Sequence, residues 1–328
     1  MSSIILEPGE IGQVAPFPHV VLPASADVFN DRARRFDQLA QGHAMVQFLA
    51  AMALLAGAQH AAFNVRSADP IAADQLRQSR LHGMPPLSFQ FGQDSRSWHA
   101  DLKTIANWLI AHHADAWLSA ATALMAMDAQ LYDALGQAVL SSTPIATEPV
   151  AYALLAPVVG AALQVWWTRQ AASLNETDLG HVGTSTVCPV CAARPVASIV
   201  EIGAAQSNLR YLHCALCSTD WHKVRVTCTS CDSTKGIAYY SLNGNNAAQG
   251  VSHKTAFARA EACDACHSYL KIFTREKQPL MDVTADDLAT LALDMLLDEA
   301  GYFRSGPNLL FSPGIAADDD ASFIQPDC

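Results

Sequence analysis

Eight cysteines stand in four Cys-x-x-Cys pairs: Cys188/Cys191, Cys214/Cys217, Cys228/Cys231 and Cys263/Cys266. A Cys-x-x-Cys turn aims two sulfurs at one point, and a second such turn across a short hairpin completes a tetrahedron of thiolates about 2.3 Å from a zinc ion. The first and second pairs are separated by 22 residues and the third and fourth by 31, which predicts two ribbons with one ion each. An interleaved arrangement, in which alternate pairs share an ion, uses the same cysteines. Zinc and a single rubredoxin-like iron both suit four thiolates, so the expected cofactors are two metal ions per chain, iron or zinc.

Other uses of these residues fit less well. Disulfides belong to oxidising compartments, whereas Met1–Glu10 has no basic stretch followed by an apolar run, which predicts a cytoplasmic protein. Thioredoxin-like exchange needs a βαβ setting, and these pairs are flanked by strand-like sequence instead. His213, His222, His253 and His267 lie in the same region but are surplus to eight paired cysteines, so they read as supporting or surface groups. His60, His112 and His113 lack a ligand-like spacing and are expected at the surface. Cys328, the ninth cysteine, reads as a free thiol at the chain end. The chain contains no Gly-rich phosphate loop, nucleophile elbow or His-Glu-x-x-His pair, so no catalytic centre is expected.

The elements that must position these sulfurs follow from composition. Of 328 residues, 51% are hydrophobic and 16% charged, enough apolar material for a buried core. Residues 1–180 have no cysteine and are rich in Ala, Leu, Met and Gln, which predicts an α-helical domain of about six helices. Asp69-Pro70 and Glu148-Pro149 look like helix starts, and breaks are expected near Gly83–Pro86 and Ser141–Pro144. Leu102, Ile105, Ala106, Leu109 and Ile110 recur at helical spacing and should face a core. The first ribbon is expected over residues 181–222 and the second over 223–280, with strand-like runs at Val196–Val200 and Leu209–Leu212 and a turn at Asn243–Asn246. Trp221, between the ribbons, should be buried where small metal modules lack a core. Residues 281–328 should form a C-terminal helix and an acidic tail. In that helix Thr284 and Asp287 resemble a capping box, Leu288, Leu291, Ala292, Met295 and Leu296 a buried stripe, and Gly301 a stop. The fold class is therefore α plus small β.

Residues 1–180 carry 9 basic and 15 acidic groups, residues 181–280 carry 10 and 6, and residues 281–328 carry 1 and 10, for a net charge of −11. This balance opposes binding to phosphate backbones, and two four-thiolate sites would neutralise the basic middle. Ala44–Ala58 and Val150–Trp167 are borderline in length for membrane spans, but no Lys or Arg cluster follows either, so both read as core helices and no membrane insertion is expected.

These motifs resemble the formate dehydrogenase accessory family, FdhE. The resemblance rests on Cys188-Pro-Val-Cys191, Arg210–His222, Val226–Cys231, Glu261–Lys271 and Asp286–Leu291, with weaker agreement at Arg32, Arg35 and His43. It implies a non-enzymatic, cytoplasmic accessory protein with rubredoxin-like sites. Such a protein contacts the catalytic subunit of respiratory formate dehydrogenase before export and is needed for the active enzyme. The family often places Gly after the second cysteine of a pair, where this chain has Ala192, Ser218, Asp232 and His267. The competing readings are a zinc-ribbon nucleic-acid-binding protein and a rubredoxin-like iron redox protein. A homodimer is compatible with the sequence.

Overall fold

Seven helices among the described residues build the N-terminal body: α1 (Val28–Ala40), α2 (Val46–Val65), α3 (Ala73–His82), α4 (Arg96–Ala111), α5 (Asp115–Met125), α6 (Ala129–Ser141) and α7 (Pro149–Ala172). The structure is a computed structural model that describes residues 17–23, 27–88, 96–143, 149–180, 185–201, 209–242 and 257–312. The turn expected at Asn243–Asn246, the acidic tail, His253 and Cys328 lie outside these residues.

Helix α7 buries apolar side chains around its whole circumference, with Gln164, Thr168, Arg169 and Gln170 buried among them, and runs through the middle of the body, packed by α2, α4, α5 and α6. It begins at Pro149, as the sequence suggests. The most apolar window of α7 is 83% buried and that of α2 44% buried, so both serve as core helices of the body. The stripe on α4 faces inward as expected, with Leu102, Ile105, Ala106 and Leu109 fully buried.

The start expected at Asp69-Pro70 is displaced, since α3 begins at Ala73. The reason is tertiary. The Asp69 carboxylate accepts from Trp166 Nε1 at 2.7 Å, and the Gln170 side chain bridges the Asp69 backbone N–H and C=O at 2.6 and 3.0 Å. These bonds hold the segment extended against α7 before the chain can coil. Gly83, left-handed at φ +66°, then ends α3 where a break was expected.

Among the described residues eight strands form one sheet: β1 (Val20–Val21), β2 (Pro195–Glu201), β3 (Leu209–Cys214), β4 (Asp220–His222), β5 (Ile237–Tyr240), β6 (Ala258–Cys263), β7 (Ser268–Thr274) and β8 (Phe303–Arg304). Their order is β1-β4-β3-β2-β7-β6-β5, with β8 beside β7. Within each ribbon the pairing is antiparallel, and the ribbons join through parallel pairing of β2 with β7, Ser198 opposite Ile272. A buried ion pair reinforces the join, with Arg210 of β3 reaching Glu261 of β6 at 2.6 Å. Trp221 in β4 is fully buried and donates to the Ser185 carbonyl at 3.0 Å.

After the ribbons come α8 (Val283–Leu288) and α9 (Leu291–Glu299), where one continuous helix was expected. Asp282, not Thr284, caps α8, its carboxylate accepting from Ala285 N at 2.8 Å. The Thr290 hydroxyl bonds back to the Asp286 and Asp287 carbonyls and closes α8, so the second helix is rotated relative to one continuous pattern. Leu293 and Leu297 are buried as a result, while Met295, expected inside, is 66% exposed. Gly301 follows α9 in a left-handed conformation, φ +82°, consistent with its expected role as a stop.

Candidate metal centres

Each cysteine pair sits at a strand end or in the turn beside one, and the same local device recurs at all four. The residue after the second cysteine is left-handed in every case: Ala192 at φ +65°, Ser218 at +57°, Asp232 at +55° and His267 at +52°. This is the conformation that glycine adopts without strain, so these four side chains hold it at some conformational cost. In return the chain folds back sharply. Cys188 N, Cys214 N and Cys228 N donate to the carbonyls of Ala193, Thr219 and Ser233 at 2.8, 2.9 and 2.9 Å. Backbone N–H groups turn toward sulfur, with Val190 N and Leu216 N each 3.4 Å from Cys188 Sγ and Cys214 Sγ, and Ser230 N 3.3 Å from Cys228 Sγ.

The sulfurs gather into two groups, Cys188, Cys191, Cys214 and Cys217, and Cys228, Cys231, Cys263 and Cys266, with all sulfurs of a group within 4.8 Å of one another. First pairs with second and third with fourth, so the interleaved alternative is not the arrangement adopted. Separations of 3.6 Å for Cys188–Cys217, 3.4 Å for Cys191–Cys214, 3.6 Å for Cys228–Cys266 and 3.8 Å for Cys231–Cys263 compare with the edge of about 3.8 Å in a tetrahedron of 2.3 Å metal–sulfur bonds. The residues present therefore fit an ion in each group, and the donor set suits zinc or iron.

Electrostatics within the groups point the same way. Burial pushes the Cys188 and Cys191 thiols well up. Cys217 is equally buried, yet hydrogen bonds from Cys188, Cys191 and Cys214 and from the Thr219 hydroxyl hold it well below the usual thiol range. In the second group burial raises Cys231 to about 12 and raises Cys263. Burial also opposes charge on Cys228, but the Cys231 and Ser230 backbone N–H groups, with Cys266 and Ser268, bring it down. Burial thus opposes charge on these crowded sulfurs, and deprotonating all four of a group calls for a cation to offset the accumulated charge.

The two groups are set differently. The helical body grips the first: Leu87 N donates to Val190 O at 2.9 Å, Trp167 Nε1 holds Leu87 O at 3.1 Å, and Gln164 Nε2 of α7 donates to Ala215 O at 2.8 Å. All four cysteines of this group belong to the main apolar core. The second group lies outside both apolar clusters. Its neighbours are polar, with Ser268 Oγ 3.1 Å from Cys266 Sγ and buried Lys223 paired to exposed Asp232.

Of the histidines considered as alternative ligands, the described ones, His213, His222 and His267, belong to neither group. His213 pairs through Nδ1 with Asp220 at 2.6 Å, His222 packs against Phe17 and His19, and His267 is exposed. His112 and His113 are exposed as expected, whereas His60 is half-buried.

Sequence reasoning did not join the residues that lock the body to the C-terminal segment. Arg32 Nε lies 3.2 Å from Asp282, Arg35 binds Asp286 at 2.6 Å, and His43 Nε2 meets Ala289 O at 3.1 Å. Arg32 also donates to Gln164 at 3.0 Å, continuing the chain of bonds to the first cysteine group. The signal was present in two halves, Arg32, Arg35 and His43 on one side and Asp286–Leu291 on the other.

Three family models match consecutive stretches of the chain: FdhE, N-terminal over residues 17–184; FdhE, central domain over 187–225; and FdhE, C-terminal domain over 226–311. A Protein FdhE homolog of Pseudomonas aeruginosa is 39% identical over 321 residues, covering 96% of this chain and 99% of that protein. Protein FdhE of Escherichia coli O1:K1 is 31% identical over 300 residues, covering 90% and 92%. The crystal structure of the FdhE protein from Pseudomonas aeruginosa superposes with a TM-score of 0.78 at 37% identity, covering 90% of this chain and all of that one.

Proposed function

From the premise that the chain belongs to the FdhE family, we propose that it is a cytoplasmic assembly factor for respiratory formate dehydrogenase. It binds the catalytic subunit before export and is needed for the active enzyme. Cys188, Cys191, Cys214 and Cys217 hold one metal ion, and Cys228, Cys231, Cys263 and Cys266 a second, each iron or zinc. The helical body and the sheet supply surface for the client, and the protein carries out no turnover of its own. The observation that carries this reading is the conjunction of end-to-end FdhE similarity with two tetrahedral sulfur groups. Transient engagement suits such a client, which must be released once mature.

The test uses the intact chain and a Cys263→Ser/Cys266→Ser variant. Elemental analysis of the intact protein should return two ions per chain, and a ratio near one would remove one site. The intact chain should capture the catalytic subunit from cell extract, and a deletion strain should make that subunit without formate oxidation until the intact gene is restored. Unchanged formate oxidation in the deletion strain, with no capture by either protein, would overturn the assembly role and leave the metal sites standing.

A further inference from the structure

We infer that the two metal sites divide into a structural ion and an exchangeable one. The ion at Cys188, Cys191, Cys214 and Cys217 is locked in place, and the ion at Cys228, Cys231, Cys263 and Cys266 is open to replacement of its ligands by thiols from outside. The inference rests on the eight-cysteine reading proposed above and adds what distinguishes the sites.

The difference lies in what covers each sulfur and each turn. In the first group every cysteine is buried, Cys191 being the most exposed at 8%. The residues between its paired cysteines include Val190, Ala215 and Leu216, all buried in the main core. In the second group Cys231 and Cys266 are half-buried, and Ser230, Asp264, Ala265 and His267 around them are exposed. Cys228 and Cys263 face inward. The second site therefore has a protein side and a solvent side, with one sulfur from each pair on the solvent side.

This geometry sets the route of exchange. An incoming thiol must reach the ion before a bound thiolate departs, and at the second site it approaches beside Cys231 or Cys266 with the fold intact. With an ion bound, a new metal–sulfur bond would form as the bond to Cys231 or Cys266 broke, the proton of the incoming thiol passing to the departing thiolate with no change of charge or oxidation state. A dithiol would replace the other exposed sulfur as well, and Cys228 and Cys263 would be the residues that hold the ion until last. At the first site the same attack requires separating the turns from α7 and from Leu87, that is, opening the main core. The exchange partner is accordingly a small thiol or a cysteine-bearing protein segment, and the first site is closed to both.

The intact chain, loaded with two zinc ions, is mixed with the dithiol dithiothreitol and a chromogenic zinc chelator under native conditions. Zinc release is followed by absorbance and cysteine alkylation by mass spectrometry of peptides. One ion should leave at least about tenfold faster than the other, with Cys228, Cys231, Cys263 and Cys266 alkylated in the fast phase and the first group protected. In Cys266→Ser, the second site should hold less than one ion while the first remains full and the far-UV circular dichroism is unchanged. Release of both ions in one phase, with parallel alkylation of both groups, would overturn the division while leaving two sites intact, as would faster loss from the first group. If the intact chain takes up no zinc at all, the eight-cysteine reading beneath it falls as well.

Discussion

Around α7 the side chains of Val158, Val159, Leu163 and Val165 are fully buried and carry no charge, and Asp101, held by Arg169 and Arg66 at 2.9 and 2.8 Å, supplies the ionic contact. Along the seam between this body, the sheet and α8, the buried groups are instead Arg32, Arg35, Lys271, Asp286 and Asp287, with Arg304 and Asp294 beside them. Lys271 and Asp287 have no exposed side-chain surface and face each other at 3.2 Å, and Asn308 adds a bond to Asp287 at 2.8 Å. The body uses non-directional burial, which tolerates many repackings. The seam uses paired charges, which gain little over apolar packing but are costly when one partner is missing. A polar seam of this kind accepts one docking geometry between body and ribbons.

Removing one partner tests that contrast most severely. Asp287→Ala removes the fully buried carboxylate that Lys271 and Arg304 share, leaving them only the partly exposed Asp294, and should cost about 3–5 kcal/mol in urea unfolding. A loss below about 1 kcal/mol would show that the seam is held by something other than its charges. In the body, Leu163→Ala should cost about 2–5 kcal/mol, through lost transfer energy and the cavity left behind. That loss should be the same at low and high salt and at every pH, and a strong pH dependence would erase the distinction between the regions.

The pH response of the seam has a defined sign. Burial raises the Asp286 carboxyl from 3.8 to about 6 despite the Arg35 guanidinium, so the folded state holds this proton more tightly than the unfolded chain. Its contribution is fully present below the ordinary value and is lost as pH rises through about 6. At roughly 1.4 kcal/mol per pH unit, the loss over that window is about 2–3 kcal/mol. Asp287 behaves oppositely. Burial opposes its charge, but Arg304 and Lys271 lower its pKa, so its contribution disappears as pH falls below the usual aspartate range. Urea midpoints measured from pH 4 to 7 should decline through this window in the natural protein and be flatter in Asp286→Asn. An unchanged slope in that variant would assign the titration elsewhere.

The smallest expected effect lies where the turn at Leu309 meets the body. A Cβ at Gly160 would stand 2.0 Å from the Leu309 carbonyl oxygen. Gly160→Ala should therefore push residues 306–311 off α7 at a cost of about 1–3 kcal/mol. Faster hydrogen exchange at Leu309, Leu310 and Phe311, with α7 itself unchanged, is the signature. Equal protection in both proteins would mean that this segment is free to shift.

The cysteine groups were legible because their chemistry is local: each pair spans two residues, and four pairs in one stretch leave few other uses. Helices that bury an ordinary apolar stripe, such as α4, were legible for the same reason. The seam was not. Arg32 and Arg35 read alone as the polar face of a surface helix, and Asp282 and Asp286 as the acidic start of another, since the members of each pair lie some 250 residues apart. The misplaced start of α3 has the same origin, bonds from Trp166 and Gln170 on α7 that no local pattern announces, whereas the break at Thr290 rests on a bond four residues back that the apolar spacing does not reveal.

That separation also sets a timetable. A ribosome adds about 5–20 residues per second, so the interval between the emergence of α1 and that of Asp282 and Asp286 is about 10–50 s. Through that interval α1 has no carboxylates to receive it. The strand Val20–Val21 likewise waits for Asp220–His222. The inward face of α1 carries Arg32 and Arg35 beside Phe29 and Phe36, and while the guanidinium groups remain hydrated they offset its tendency to stick to other nascent chains. The same charges that later tie the two ends together thus serve first as a solubilising guard on an unfinished polypeptide. Closure of the molecule therefore waits until α8 has been made.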